Sequence, residues 1–323
     1  MNFLEKYRGL IKEEIIKNAF NTAPEELYEP MNYILDLGGK HLRPVLVLMT
    51  YHLFKEDYYK VIKPALGIEY FHNFSLMHDD IMDKAPLRRG KPTVHKKFNE
   101  NTAILSGDAL LVKSFQMLED LEPQLFKPCF QLFSETALKV CEGQQYDMNF
   151  ETQNKVSFDE YIHMITGKTA VLCACSMKMG ALLAETSSEN ASNLYEFGKY
   201  LGIAFQFMDD YLDVFGEQQE VGKKYAGDIY ENKKTILYIL AEENANPEEK
   251  KELQYWYEIR EESQEKISNV VQLFKKLKVD RKCLELVNEY NNQAKKHLNA
   301  INLTEEKKQP LLTLIDNLLI RKS

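Results

Sequence analysis

The sequence predicts an all-α protein, and three observations carry that expectation. Glycine (14) and proline (10) are scarce among the 323 residues. Apolar residues recur at three- and four-residue spacings almost throughout, which is the helical period. Convincing strand alternation bounded by hairpin turn signals is absent. Several helical segments are apolar around most of their circumference and should be buried on all sides. The expected architecture is a bundle of central helices ringed by others, with ligands held between facing helices.

Taken in order, the amino-terminal stretch MNFLEKYRGLIKEEIIKNAF has an amphipathic helical pattern mixing acids and bases. It lacks the basic start, apolar middle and small-residue cleavage site of a secretory leader. The run Asp36-Leu37-Gly38-Gly39-Lys40-His41-Leu42-Arg43-Pro44 breaks the pattern with a glycine pair and predicts a loop between two helices. Helical spacing returns over 66–83, and KAPLRRGKP (84–92) follows as a basic loop. Helices are expected over 102–118, 127–148, 158–183 and 192–214. The segment GEQQEVGKKYAGDIYENKK (216–234) is a second basic loop, followed by helix over 234–244 and helical stretches to the end. Residues 246–278, with Tyr255, Trp256, Tyr257 and Phe274 among many charges, suggest helices and no function. No linker or low-complexity tract divides the chain, so 1–323 is expected to be one domain.

Composition narrows the function classes. Hydrophobic residues (44%) and charged residues (28%) are in ordinary globular proportion. No stretch approaches the roughly 18 uninterrupted apolar residues of a membrane span. The five cysteines, Cys129, Cys141, Cys173, Cys175 and Cys283, are odd in number and form no CxxC, which argues against a disulfide framework or a zinc ribbon. With the amino-terminal pattern, this predicts a soluble cytoplasmic protein. A net charge of −8 argues against a general nucleic-acid binder but leaves phosphate-bearing small substrates open.

Two acidic triplets are the most informative feature. Asp79-Asp80-Ile81-Met82-Asp83 and Asp209-Asp210-Tyr211-Leu212-Asp213 both read DDxxD, and each closes a run of mostly apolar or aromatic residues. Carboxylates crowded in this way repel one another and cost free energy to desolvate, so a shared positive ligand is expected. Residues four apart share a helix face, which pairs Asp79 with Asp83 and Asp209 with Asp213. Asp80 and Asp210 lie about a third of a turn away. Oxygen-only donors suit Mg2+, which commonly bridges carboxylates to substrate phosphates. Cations near both triplets fit a diphosphate. Arg88 and Arg89 follow the first, Lys223 and Lys233 follow the second, Lys40 and Arg43 sit in the Gly-Gly loop, and Lys168-Thr169 interrupts an apolar helix.

The ordered motifs GGKHLRP, DDIMD followed by RRG, GQQYD, KT, FQFMDDYLD and a GK…GD…K loop resemble the trans-isoprenyl diphosphate synthases, the polyprenyl synthetase family. The resemblance spans about Gly38 to Thr235. It implies the all-α isoprenoid synthase fold with a deep central cavity, a homodimer, and head-to-tail joining of isopentenyl diphosphate to an allylic diphosphate. By similarity, Asp79, Asp83 and Asp209 bind Mg2+, Asp147 of GQQYD assists, and Asp80, Asp210 and Asp213 complete the acidic rims. About three Mg2+ ions are implied once substrate is bound. Arg88, Lys168, Lys223 and Lys233 are implied to hold the allylic diphosphate, with Lys224 an equal alternative to Lys223 by spacing. Lys40, Arg43, His72 and Arg89 are implied to hold isopentenyl diphosphate, and Phe205, Gln206 and Thr169 to line the reacting centre.

Within that family, a bulky aromatic five residues before the first triplet resembles short-chain synthases that stop near C20. Phe74 occupies that position, Ser75 beside it is small, and Phe71 lies about one turn deeper. Geranylgeranyl diphosphate is the expected product, with farnesyl diphosphate (C15) the alternative. Other classes explain less. Glu69-x-x-His72 and Glu160-x-x-His163 could suggest a di-iron bundle, but that leaves both triplets and the Arg-Arg loop unexplained. A terpene cyclase would be expected to carry a different second metal motif, and a non-catalytic partner subunit to have lost acidic or basic positions.

Overall fold

A computed structural model describes residues 3–216, 225–259 and 263–320. In chain order the helices begin with α1 (Phe3–Lys17), α2 (Glu25–Asp36), α3 (Leu42–His52), α4 (Ile62–Met82), α5 (Val94–Lys97), α6 (Glu100–Gln116), α7 (Pro123–Thr152) and α8 (Phe158–Ile165). A π-helical turn, Thr166–Ala170, joins α8 to α9 (Val171–Leu183). They continue with α10 (Ser188–Phe215), α11 (Gly227–Tyr230), α12 (Ile236–Asn244), α13 (Pro247–Glu258), α14 (Gln264–Lys276), α15 (Val279–Asn299) and α16 (Glu305–Ile320). Each expected helix is present. The differences include the π turn, which interrupts what the spacing predicts as one helix over 158–183, a hairpin in the first basic loop, and the short α11 inside the segment expected as the second basic loop. That hairpin pairs β1 (Leu87–Arg88) with β2 (Lys91–Pro92), antiparallel. Strands of two residues are too short to leave an alternating signature in sequence.

The chain divides into two compact units. The first comprises Met1–Ala137, Leu172–Tyr195 and Ile301–Leu311. Its core is built on α3 and α4. From Pro44 to Tyr51 every residue of α3 is buried, as its continuous apolar run requires. On α4, Ala65, Leu66, Ile68, Tyr70 and Phe71 are buried as well. Helix α1 covers this core with Tyr7, Ile11 and Ile15, spaced by four, and keeps its charged face in solvent.

The second unit comprises Leu138–Val171, Glu196–Ala300 and Leu312–Ser323. Its core gathers Phe207 and Met208 of α10, the apolar run Ile236–Ala241 of α12, and one stripe each of α14 and α15. On α15 the stripe is Val279, Cys283, Val287, Asn291, Ala294 and Leu298, which keeps the helical period and leaves the other face to charged residues. Two capping boxes fix helix starts here: Ser157 with Glu160 opens α8, and Asn246 with Glu249 opens α13. Glu160 is thus occupied at a cap, a local role that needs no metal. Among the described residues no helix is long and apolar enough to cross a membrane.

Candidate active site

In the first unit, α4 ends on the first triplet. Asp79 is partly exposed and Asp83, the C-cap residue, is exposed, whereas Asp80 is buried. The one-residue offset turns Asp80 inward, where Arg88 grips it with two parallel hydrogen bonds. Arg88 Nε donates to Oδ2 at 2.8 Å and Nη2 to Oδ1 at 2.7 Å. This fork geometry is the strong form of an arginine–carboxylate pair. Arg88 stands on β1, and the turn after it is Arg89-Gly90, with φ of 52° and 74°. Two consecutive positive φ angles are the signature of the tight hairpin turn that matches strand twist. The hairpin therefore gives the adjacent arginines different tasks.

Arg89 reaches back to the Gly-Gly loop. A Cβ on Gly39 would lie 2.7 Å from Arg89 Nη2 and 2.9 Å from its Cζ, and Gly39 has φ of 144°. Only glycine permits both the backbone conformation and the close approach. The loop is held on its other side by Arg8 of α1, whose Nε donates to the Lys40 carbonyl at 2.9 Å. Next to Lys40, His41 takes left-handed φ (43°), and its Nδ1 donates to buried Glu69 Oε1 at 2.8 Å. Arg43 Nη1 donates to His72 Nε2 at 3.1 Å. Burial and then the charges of Arg43, Arg89 and Arg88 hold His72 well below the usual histidine value, so it stays neutral and keeps the lone pair that accepts from Arg43. Lys40, Arg43, His72 and Arg89 thus all lie in the first unit, and buried Glu69, which pairs with His41, favours the charge on Arg89. Gly39→Ala is expected to displace the Arg89 guanidinium. If Arg89 holds isopentenyl diphosphate, as the family resemblance implies, the KM for that substrate should rise about tenfold, together with a lower melting temperature because alanine is strained at a φ of 144°. Steady-state kinetics in that substrate checks this, and an unchanged KM would detach Arg89 from the site.

Farther back on α4, Phe74 and Phe71 are buried, with ring centroids 5.5 Å apart. Phe74 also meets the His78 ring at 4.8 Å, and Phe71 meets Phe133 of α7 at 5.5 Å. Ser75 is partly exposed, and its hydroxyl donates to the His72 carbonyl at 2.9 Å.

In the second unit the triplet on α10 shows the same division. Asp209 is exposed, Asp213 partly exposed and Asp210 buried. Asp210 accepts from the Tyr161 hydroxyl, from Gln206 Nε2 at 2.9 Å and from the Ile236 backbone N–H at 3.3 Å. The last of these is an otherwise unmet donor at the start of α12. Burial, and the neighbouring Asp228 carboxylate after it, push Asp210 up to about 8. Burial and Asp210 raise the Tyr161 phenol far above its usual value, so it remains a donor. The network continues outward. Gln206 Oε1 accepts from the Thr169 hydroxyl at 3.0 Å, and neighbouring Lys168 Nζ pairs with Asp147 Oδ2 at 2.6 Å. Asp147 therefore meets a lysine here rather than standing alone beside the triplet.

Lys168 and Thr169 lie in the π turn, a geometry that recurs at functional sites. Close packing explains how the turn is held. A Cβ on Gly143 of α7 would lie 2.1 Å from the Lys168 nitrogen, and one on Gly202 of α10 would lie 2.6 Å from the Ala170 Cα. Two glycines thus clamp the turn from both sides. Phe205 is partly buried on α10. After α10, the Asp228 N–H donates to Asp213 Oδ2 at 3.1 Å, and Lys233 pairs with Glu231 at 2.8 Å. Lys223, with Lys224, lies outside the described residues.

The donor set fits Mg2+. Asp79 with Asp83, and Asp209 with Asp213, offer accessible carboxylate oxygens one helical turn apart. Among the described residues, no three His, Cys, Asp or Glu side chains form a closed cage. Mg2+ does not require one, because it is commonly held by one or two carboxylates plus waters and substrate phosphates. Sequence reasoning missed Tyr161, Asp228, His41, and the packing roles of Gly143 and Gly202. Of these, Gly143 of GQQYD, His41 of GGKHLRP and Asp228 of the GK…GD…K loop lay within motifs already singled out.

Comparison with known proteins agrees with this fold. Residues 24–274 match the family model described as Polyprenyl synthetase. A geranylgeranyl diphosphate synthase of Methanosarcina mazei is 43% identical over 222 residues, 68% of each chain. One of Saccharolobus solfataricus is 37% identical over 299 residues, 90% of each chain. A crystal structure of a geranylgeranyl pyrophosphate synthase superimposes with a TM-score of 0.95 at 42% identity, covering 100% of both chains. The fold is therefore the all-α isoprenoid synthase fold, and the chain belongs to the polyprenyl synthetase family.

Proposed function

We propose that this chain, acting as a single polyprenyl synthetase domain, is a Mg2+-dependent short-chain prenyltransferase. It joins isopentenyl diphosphate to C5, C10 and C15 allylic diphosphates and ends at geranylgeranyl diphosphate, C20. One observation carries the reading. Helix α4 bears Asp79 and Asp83 at its carboxy-terminal end and buried Phe74 and Phe71 behind them. At about 1.5 Å per residue, Phe74 lies about 7.5 Å and Phe71 about 12 Å behind Asp79 along the axis. A chain anchored by its diphosphate at the carboxylates and growing back along α4 would meet these rings. The names of the relatives support the same product class.

In this reading, Lys40, Arg43 and Arg89 bind the diphosphate of isopentenyl diphosphate, and neutral His72 orients Arg43. Arg88, Lys168, Lys233 and Lys223 bind the allylic diphosphate. Asp79, Asp83, Asp209 and Asp213 would hold Mg2+, with Asp147 assisting. Bound there, Mg2+ supplies charge stabilisation for the departing diphosphate. Asp80 and Asp210 act from behind, by fixing Arg88 and by fixing Gln206 with Tyr161. The allylic C1–O bond breaks and its electron pair leaves on diphosphate. The Phe205 ring and the Thr169 and Gln206 oxygens face the resulting cation with negative potential and help exclude water. The alkene carbon of isopentenyl diphosphate bonds to C1, and a proton from the adjacent methylene passes to the departing diphosphate. Two substrates held together convert a bimolecular step into a unimolecular one.

A homodimer is the expected assembly. Within the first unit, Ile104, Leu105 and Val112 of α6 and Phe126 and Phe130 of α7 are exposed apolar side chains, of the kind that mark a protein interface. None of the five cysteines is in a disulfide, which supports a reducing, cytoplasmic compartment. The test is chromatography of products from isopentenyl diphosphate offered with C5, C10 and C15 primers and Mg2+. A C20 product is expected; an end at C15, a longer natural product, or no condensation would overturn the assignment. In the same assay, Phe74→Ala should shift the main product beyond C20. An unchanged product distribution would remove Phe74 from chain-length control.

A further inference from the structure

Lys266, in the first turn of α14, is fully enclosed by protein. Its ammonium donates to two neutral acceptors, Asn232 Oδ1 at 2.5 Å and the Ile259 carbonyl at 2.9 Å. Asn232 Nδ2 donates to the same carbonyl at 3.2 Å, which closes a three-sided clamp. Enclosing an ammonium is costly unless its donors are met, and burial lowers its pKa. Aliphatic packing alone would be served as well by methionine, so the charged end has to be explained by what it holds.

The clamp holds the residue immediately before Lys233. Asn232 sits at left-handed φ (58°), a conformation that asparagine adopts more readily than most residues, though less readily than glycine. On the other side of Lys233, Lys234 Nζ donates to the Phe150 carbonyl at 3.0 Å. The Lys233 N–H itself donates to the Asp228 carbonyl at 2.9 Å. Lys233 is therefore a partly exposed cation whose backbone is anchored on both sides and at its own nitrogen, while its side chain extends from a fixed point.

We propose that Lys266 is a positioning residue for Lys233: by holding Asn232 in its left-handed turn, it presents the Lys233 ammonium to the allylic diphosphate. This rests on the assignment of Lys233 to that diphosphate made above. A residue that only packs the start of α14 would change stability and all kinetic constants together. A positioning residue changes one substrate's binding.

The experiment uses the full chain with Mg2+ and compares Lys266→Met, Asn232→Gly, their double variant and Lys233→Ala. Lys266→Met should raise the KM for farnesyl diphosphate about tenfold, leaving kcat and the KM for isopentenyl diphosphate within about twofold. Asn232→Gly should do the same and stay folded, because glycine accepts the positive φ without strain. The double variant should be no worse than either single one, since both break one contact. A lowered melting temperature with an unchanged allylic KM, or additive single effects, would overturn the proposal. If Lys266→Met does not fold, Asn232→Gly decides alone by the same criterion. An unchanged allylic KM in Lys233→Ala overturns the assignment of Lys233 and the proposal with it. A raised value there, beside unchanged values in the clamp variants, overturns the positioning role only.

Discussion

Alanine in place of Asp79 or of Asp209 should lower kcat/KM by about a thousandfold, the scale on which losing a direct charge-stabilising partner of the leaving group is felt. Asp79 is partly exposed and Asp209 exposed, so neither belongs to the buried core of its unit. The loss should therefore appear with an unchanged circular dichroism spectrum and melting temperature, and with a higher Mg2+ requirement for whatever activity remains. Asp80→Ala and Asp210→Ala provide the contrast. Each removes a buried acceptor that satisfies several donors, Arg88 in one case and Tyr161, Gln206 and the Ile236 N–H in the other. Leaving such donors unmet destabilises the fold, so these two variants should melt earlier as well as turn over more slowly. Rates measured with labelled isopentenyl diphosphate across a Mg2+ titration distinguish the pairs. Activity of Asp79→Ala and Asp209→Ala within about tenfold of the parent would sink the metal assignment.

Gly143→Ala should be the most damaging change outside the charged residues. The new methyl would sit 2.1 Å from the Lys168 backbone nitrogen and 2.5 Å from the Gly167 carbonyl carbon. Neither is a side-chain end that can swing away; both are backbone, so either α7 or the π turn must move. Overpacking of this kind costs about 3 kcal/mol. Any shift of the turn also carries Lys168 away from Asp147 and Thr169 away from Gln206, because those contacts are made within hydrogen-bond reach. The expected result is a lower melting temperature together with a fall in kcat of about a hundredfold, since displacement by about an ångström is felt on that scale. Gly9→Ala is the control: its added Cβ has no atom within 4 Å, and it should behave as the parent. A Gly143→Ala protein with parent-like turnover would show that the π turn does not need to be held where it is.

Some of this site could be read from residue order, and some could not. The exposed pairs Asp79/Asp83 and Asp209/Asp213 follow from helical period alone, because a spacing of four places two carboxylates on one face wherever the helix lies. The inward turn of Asp80 and Asp210 is half visible: the offset is in the sequence, and Gln206 lies one turn back on the same helix, but Arg88, Tyr161 and the Ile236 N–H come from segments 8 to 49 residues away. The separate orientations of Arg88 and Arg89 depend on a hairpin with two-residue strands, too short for any periodicity. The π turn at Thr166–Ala170 is poor in helix formers, but that composition does not specify a π turn, which shows only as an added residue per turn in space. Lys266 carries no motif, and its enclosure depends on where Asn232 and Ile259 fold.

Sequence by itself determined the helical class, the two acidic faces, the aromatic positions behind the first of them and the family, because each depends on residue type at fixed local spacing. Tertiary structure alone decided which carboxylates face solvent and which brace a neighbour. It also decided which arginine grips Asp80 and which leans on Gly39, and how two glycines and a buried lysine hold the segments that carry Lys168 and Lys233. Those outcomes depend on close approach between segments distant in the chain, where a tenth of a nanometre separates contact from collision and no local pattern records it.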